Sequence, residues 1–170
     1  RSDKPIIVAE ADYEKHGVED PRISKIDGLF YLTYTAYDGV NAQGALATST
    51  DLINLEQKWL IVAPVSYVEF VFLLESAPRV NKKYDRKHLF YYQADEIKTK
   101  ILLWDKNVIF FPRRINNKLC FLHRVRPGIQ LVCVNDLAEL THEWWRQYYM
   151  TLPEHIVMDP RYKHESRYIG

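Results

Sequence analysis

The chain has 170 residues, 14% of them aromatic with 12 Tyr and 4 Trp, and its 23 Lys and Arg against 22 Asp and Glu leave a net charge of +1. That length suits one domain with a real core, and the even charge gives no global field to draw the chain to nucleic acid or membrane. Two cysteines, Cys120 and Cys133, are too few for a disulfide framework or a zinc site, and both read as interior strand residues of a protein in a reducing compartment.

Residues 17–23, Gly-Val-Glu-Asp-Pro-Arg-Ile, come first in chain order and say most. They gather two carboxylates and a guanidinium around a proline. The residue before a proline is pushed towards extended backbone, which predicts a strand here and excludes a helix interior. Strand alternation then sends Glu19 and Asp20 to opposite faces and sets Arg22 on the face of Asp20, as a structural ion pair or as part of a polar site. Asp27-Gly28 is a hairpin turn signal, followed by an aromatic and β-branched strand over residues 29–35 and a second over 45–50.

The middle is less regular. Residues 64–74 could add a strand, 82–88 are charged and exposed, and 88–92 with 98–104 form a hairpin around 94–96. After the turn Asn116-Asn117, strands are predicted over residues 118–124 and 129–134. A helix follows over 140–149, with Trp144, Trp145 and Tyr148 on one side, the tryptophans as core ahead of any sugar platform. His142-Glu143-Trp144-Trp145-Arg146 starts like a zinc-protease helix, but Arg146 stands where the second histidine belongs, so no metal site is assigned. Residues 159–168 read as a loop, and 168–170 as a strand cut short.

Two stretches look like copies of one unit. Ile26-Asp27-Gly28 ahead of Phe30-Tyr31-Leu32 corresponds to Ile115-Asn116-Asn117 ahead of Leu119-Cys120-Phe121-Leu122. Asp51-Leu52 after the next strand corresponds to Asp136-Leu137. The spacing is about twice the ~40–45 residues of a propeller blade. This predicts an all-β fold of four-stranded antiparallel propeller blades, with the two copies in non-adjacent positions of a ring. Two or three blades cannot close a ring, so the chain is expected to be part of a longer enzyme.

Tyr13-Glu14, the 17–23 block, Asp27-Gly28 and Tyr34-Thr35-Ala36-Tyr37-Asp38 together resemble glycoside hydrolase family 130. Lys106-Asn107, Phe111-Pro112, Ile115-Asn116, His123-Arg124 and Pro127-Gly128-Ile129 extend the likeness, and residues 166–170 resemble the lead-in to a further segment of that family. The resemblance implies a five-bladed β-propeller, of which this chain covers part as a single domain over 1–170. It implies a β-mannoside phosphorylase or β-mannosidase. Pro21 and Pro112 lie further apart than in the family pattern, which marks residues 69–103 as an insertion.

By position, the resemblance makes Asp20 the acid that protonates the departing sugar oxygen, and sets Asn107 and Arg124 near sugar and phosphate. Arg22 joins the substrate- and phosphate-binding set. Lys106 stands where many phosphorylases carry arginine; it is a usable point charge without the bidentate fork. His123 either approaches the same pocket or is a satisfied strand histidine. An inverting glycosidase needs an acid and a base that activates water, whereas a phosphorylase holds phosphate with cations and amides. Lys106, Asn107 and Arg124 are such groups. Of the nearby arginines, alternation sets only Arg126 on the face of Arg124 and leaves Arg113 and Arg114 to solvent. The expectation is inverting phosphorolysis of a β-mannoside oligosaccharide to α-mannose 1-phosphate, with inorganic phosphate as co-substrate and no cofactor. The alternatives are a β-mannoside hydrolase and a non-catalytic glycan-binding propeller. No nucleic-acid or membrane partner is expected, a homo-oligomer stays open, and the location is cytoplasmic with the periplasm as alternative.

Overall fold

The computed structural model describes residues 5–76, 84, 101–162 and 165, which are mostly β-strand with few helices. Strand β1 (Gly17–Ile26) turns through Asp27 and Gly28 into β2 (Leu29–Tyr37). Both turn residues take positive φ, 51° and 88°, the backbone of a tight primed turn that glycine and aspartate tolerate. Strands β3 (Ala42–Ser49) and β4 (Gln57–Leu60) continue the antiparallel order. The second unit repeats the plan with β5 (Asp105–Phe110), β6 (Leu119–Val125), β7 (Ile129–Val134) and β8 (Ile156–Met158). Its turn residues Asn116 and Asn117 also have positive φ, 49° and 62°. The matched Asp-Leu pairs are turns as well. The Asp51 carboxylate accepts the backbone N–H groups of Ile53 and Asn54, and Asp136 accepts that of Ala138.

The two units are neighbours, which corrects the non-adjacent placement drawn from their spacing. Gln43 of β3 pairs in parallel with Asp105 of β5. Thr33 Oγ1 donates to the Val108 carbonyl at 2.5 Å, and Ser24 Oγ donates to that of Phe110 at 2.8 Å. A helix, α1 (Tyr67–Glu75), lies in the sequence interval between the two units.

Helix α1 also replaces the strand expected over 64–74. Its aromatic and β-branched residues favour a strand by propensity. Ser66 instead caps the first turn, its side chain accepting the Glu69 N–H, and Tyr67, Phe70, Leu73 and Leu74 then form one buried face. Spacing of three and four residues won over composition. Helix α2 (His142–Met150) forms close to where it was expected, capped by Thr141, and α3 (Leu152–His155) follows. Trp145, Tyr148 and Tyr149 are buried, while Trp144 is half-buried and stacks on Tyr148. Arg146, in the second-histidine position, binds Glu69 of α1. Phe70 meets Tyr149 edge-on, and Trp145 Nε1 donates to the Ile61 carbonyl, so both helices seal one end of the core. Each such large apolar side chain contributes roughly 1.5–3 kcal/mol on burial.

Cys120 and Cys133 stand directly opposite in β6 and β7 and are joined by a disulfide. They are strand residues as expected; the register, which their spacing did not reveal, makes them partners. The expected hairpin 88–92/98–104 lies outside the described residues up to position 100, and of its last part Leu102 forms an isolated bridge with Ser66. The charged segment 82–88 lies outside them apart from Tyr84, as do most of the 69–103 interval beyond α1 and residues 166–170. Residues 159–162 are loop. Among the described residues no helix is long and apolar enough to cross a membrane.

Candidate active site

Each unit carries the same irregularity in its first strand. Between the pairs Glu19–Thr35 and Arg22–Thr33, β1 holds one residue more than β2. Between Lys106–Arg124 and Ile109–Leu122, β5 holds one more than β6. At each bulge stands a non-glycine residue with positive φ, Asp20 at 51° and Asn107 at 59°. Left-handed backbone is uncommon for L-residues, and Asp and Asn are the types that take it most readily. A bulge bends its strand and re-aims the side chain, and bulges are frequent beside active sites. The sequence reading missed this equivalence. Extending the copies back from their hairpin turns would have laid Lys106-Asn107 near Glu19-Asp20 and exposed it.

The fold holds both bulges at one level. The β1 bulge closes at the Arg22–Thr33 pair, and Thr33 binds the carbonyl of Val108, the residue after Asn107. Gly44, opposite Thr35, gives Val108 room: a Cβ at Gly44 would lie 2.5 Å from Val108 Cγ2 and 3.3 Å from Val62 Cγ1. The two strand interruptions are therefore locked together through β2 and β3.

At the first bulge, residues 19–23 are all exposed. The Arg22 guanidinium donates to the Pro21 carbonyl at 2.9 Å, and no ion pair joins Arg22 to Asp20 among the described residues. Of the two readings given for that pair the ion pair is not formed, and the extra residue of the bulge interrupts the two-residue alternation between them. At the second bulge, half-buried Lys106 stands opposite Arg124, which is 8% exposed, and Arg124 Nη2 donates to Asn107 Oδ1 at 3.4 Å. Like charges opposite each other in a sheet repel, and a bound anion would offset that. Beside this pair, the Arg126 guanidinium lies over the Trp104 ring at 5.6 Å, and Trp104 Nε1 donates to the Val40 carbonyl.

The structure brings Lys106, Asn107 and Arg124 together and leaves His123 out. As the neighbour of Arg124 in β6, His123 points to the opposite face. It is fully buried, with Nδ1 2.7 Å from Asp105 Oδ1 and Nε2 2.7 Å from the Tyr148 hydroxyl. Tyr149 donates to the other Asp105 oxygen at 2.9 Å. Burial first, and then the charge of Asp105, pushes both tyrosine hydroxyls well above their usual range, so they stay protonated donors. His123 is thus a satisfied core histidine, and the reading that sent it to the substrate pocket is corrected. Arg114 is exposed, as expected, and there it binds Asp27 and the carbonyls of Asn117 and Asn135, clamping the two hairpin turns. A separate cleft of about 540 Å³, lined by Leu29, Tyr31, Trp59, Arg114 and Asp136 among others, lies at this turn end. Among the described residues no group of three His, Cys, Asp or Glu side chains is placed to hold a metal ion.

A family model described as β-1,4-mannooligosaccharide phosphorylase, glycoside hydrolase family 130, matches residues 1–111. The chain belongs to glycoside hydrolase family 130. Among curated members, a 1,2-β-oligomannan phosphorylase of Thermoanaerobacter sp. (strain X514) is 31% identical over 141 residues, covering 81% of this chain and 34% of that protein. A β-1,2-mannobiose phosphorylase of the same organism is 54% identical over 39 residues, 23% of this chain and 13% of that one. The solved β-1,2-mannobiose phosphorylase of Listeria innocua, in complex with β-1,2-mannobiose, superposes with a TM-score of 0.53 at 22% identity, over 80% of this chain and 29% of its own. This family 130 chain therefore spans about a third of the length of the first of these relatives.

Proposed function

We propose that this family 130 chain is part of an inverting β-mannoside phosphorylase, whose two units are adjacent blades of a five-bladed β-propeller with β1 and β5 innermost. The observation that carries the reading is the pair of equivalent bulges: one blade presents a carboxylate, Asp20, and the next presents an amide backed by two cations, Asn107 with Lys106 and Arg124. That division suits phosphorolysis. Asp20 supplies a proton to the departing sugar oxygen, directly or through a sugar hydroxyl, as the bond from that oxygen to the anomeric carbon breaks. A phosphate oxygen forms the new bond from the opposite side, which inverts the centre and gives α-mannose 1-phosphate. Lys106, Arg124 and the Asn107 amide hold the anion in line and lower its repulsion with the reacting ring oxygens. Arg22, exposed beside Asp20, is assigned to the sugar. A hydrolase would need a second carboxylate to activate water, and none stands in the Lys106–Arg124 group among the described residues.

The curated relatives named above favour a β-1,2 linkage, while the family description names β-1,4. Residues 69–103 remain the candidate insertion. For the compartment, the Cys120–Cys133 bridge favours the periplasmic alternative, since disulfides persist where thiols are not kept reduced. The test is to incubate the intact protein with β-1,2- and β-1,4-mannobiose, with and without inorganic phosphate, and identify the sugars released. Phosphate-dependent mannose 1-phosphate, abolished in Asp20→Asn, is expected. Free mannose at an undiminished rate without phosphate would move the protein to the β-mannosidases.

A further inference from the structure

The cleft of about 540 Å³ at the turn end is built by both units and takes no part in the chemistry assigned to the bulges. Leu119, which lines it, starts β6 and stands about 16 Å from Arg124 at the rise of an extended strand. The first unit supplies one wall from three neighbouring strands. Tyr31 of β2 stands opposite Thr48 of β3, and Trp59 of β4 stands opposite Leu46, two residues back from Thr48. Register and alternation therefore put Tyr31, Thr48 and Trp59 on one face. Tyr31 and Thr48 are 7% and 5% exposed, Trp59 is half-buried, and the Tyr31 ring lies 5.0 Å from that of Phe110, centre to centre. Glu56 enters beside them, its backbone N–H donating to the Thr48 carbonyl at 2.8 Å. The second unit lines the other side with Leu119, Asp136 and Leu137.

The first unit's side chains leave their polar ends unused. Among the described residues, nothing hydrogen-bonds the Tyr31 hydroxyl, the Thr48 hydroxyl, the Trp59 ring N–H or the Glu56 carboxylate. A buried polar group without a partner costs free energy, and two such hydroxyls on one cleft wall point to a ligand that satisfies them. Burial raises the Tyr31 pKa against the opposing pull of Arg114, so the hydroxyl stays protonated and can donate. The charges tell against an anion. Arg114 is committed to Asp27 and to two carbonyls, one Asp136 oxygen accepts the Ala138 N–H, and Glu56 adds a second carboxylate. Hydroxyl and indole donors beside a carboxylate suit a neutral polyol, whose hydroxyls both donate and accept. The indole and the leucines suit the apolar face of a pyranose ring, and the volume is that of a small-molecule site.

We propose that this cleft is a second carbohydrate site, separate from the bulges, which stacks a sugar unit on Trp59 and hydrogen-bonds it through Tyr31, Thr48 and Glu56. That the sugar belongs to a β-mannoside chain rests on the function proposed above. Calorimetric titration decides it, using the intact protein made inactive by Asp20→Asn, with β-1,2- and β-1,4-mannotetraose and, as a different glycan, cellotetraose. Two binding events are expected with a mannotetraose, and Trp59→Ala should weaken one of them by about tenfold or more while the other keeps its affinity. Glu56→Gln, at an exposed position, should weaken the same event by about tenfold and leave the melting temperature at the wild-type value. With Asp20 restored, both variants should turn over mannobiose at the wild-type rate. A single event that neither variant alters overturns the site, as does mannobiose turnover that falls in step with binding. A cleft event with cellotetraose alone, weakened by both variants, would support the carbohydrate site and overturn its tie to β-mannosides.

Discussion

The first unit, β1–β4, and the second, β5–β8, share a bulge, a hairpin turn and an Asp-Leu turn, yet carry opposite chemistry. The first presents Asp20 from an exposed stretch of β1; the second presents Lys106 and Asn107 from β5, with Arg124 opposite on β6. Their supports are parallel as well. Ahead of β1, buried Glu14 accepts the Tyr34 hydroxyl at 2.6 Å and pairs with Lys58 at 2.8 Å. At the start of β5, buried Asp105 accepts the Tyr149 hydroxyl and meets His123. In each unit a buried carboxylate fixes the entry to the bulged strand. The scaffold is repeated, while the bulge residue and its neighbours differ in charge between the copies.

The largest effect should come from the support of the second unit. Asp105→Ala leaves His123 Nδ1 and the Tyr149 hydroxyl buried without their acceptor, and should cost about 3–5 kcal/mol by denaturant unfolding. A loss under ~1 kcal/mol would mean that the buried chain Asp105–His123–Tyr148 does not hold β5.

Next is the lock between the units. Gly44→Val puts side-chain atoms where Val108 packs and should cost about 1–3 kcal/mol. It should also weaken phosphate-dependent turnover, because Val108 adjoins Asn107. Full stability and full activity would break the link drawn between the β3 surface and the β5 bulge.

The smallest effect concerns the support of the first unit. Burial raises the Glu14 pKa, but backbone N–H groups of residues 10 and 11, Lys58 and Tyr34 outweigh it and hold the carboxyl below its usual range. A depressed folded-state pKa adds stability that is whole above the unfolded value and is lost as pH falls through the folded one. Glu14→Gln should therefore destabilise by about 1–2 kcal/mol at neutral pH, and the gap to wild type should narrow on acidification below the usual carboxylate range. A gap that widens in acid would show that the Glu14 pKa is not lowered.

Much of this was legible in the residues. The turns Asp27-Gly28 and Asn116-Asn117, the strands between them and the helix after Thr141 follow from local rules that tertiary context did not override. What was missed depends on register. The bulges interrupt alternation, so the ion pair considered for Asp20 and Arg22 does not form, and the Cys120–Cys133 bridge needs the β6–β7 pairing to be seen. His123 could have been set inside by alternation against Arg124, since two neighbouring strand residues cannot both face one pocket. Helix α1 was hidden because its composition favours a strand, while only its Ser66 cap and apolar spacing favour a helix.

The central claim is that the two bulges serve one bond. A crystal structure of the intact protein with β-mannobiose and phosphate tests it most directly. The account predicts the sugar between Asp20 and the second bulge, with Asp20 in hydrogen-bond reach of a sugar oxygen and phosphate against Arg124 and Asn107. Sugar bound only in the cleft at the turn end, or Asp20 more than ~15 Å from Arg124, beyond the span of groups acting on one bond, would contradict it.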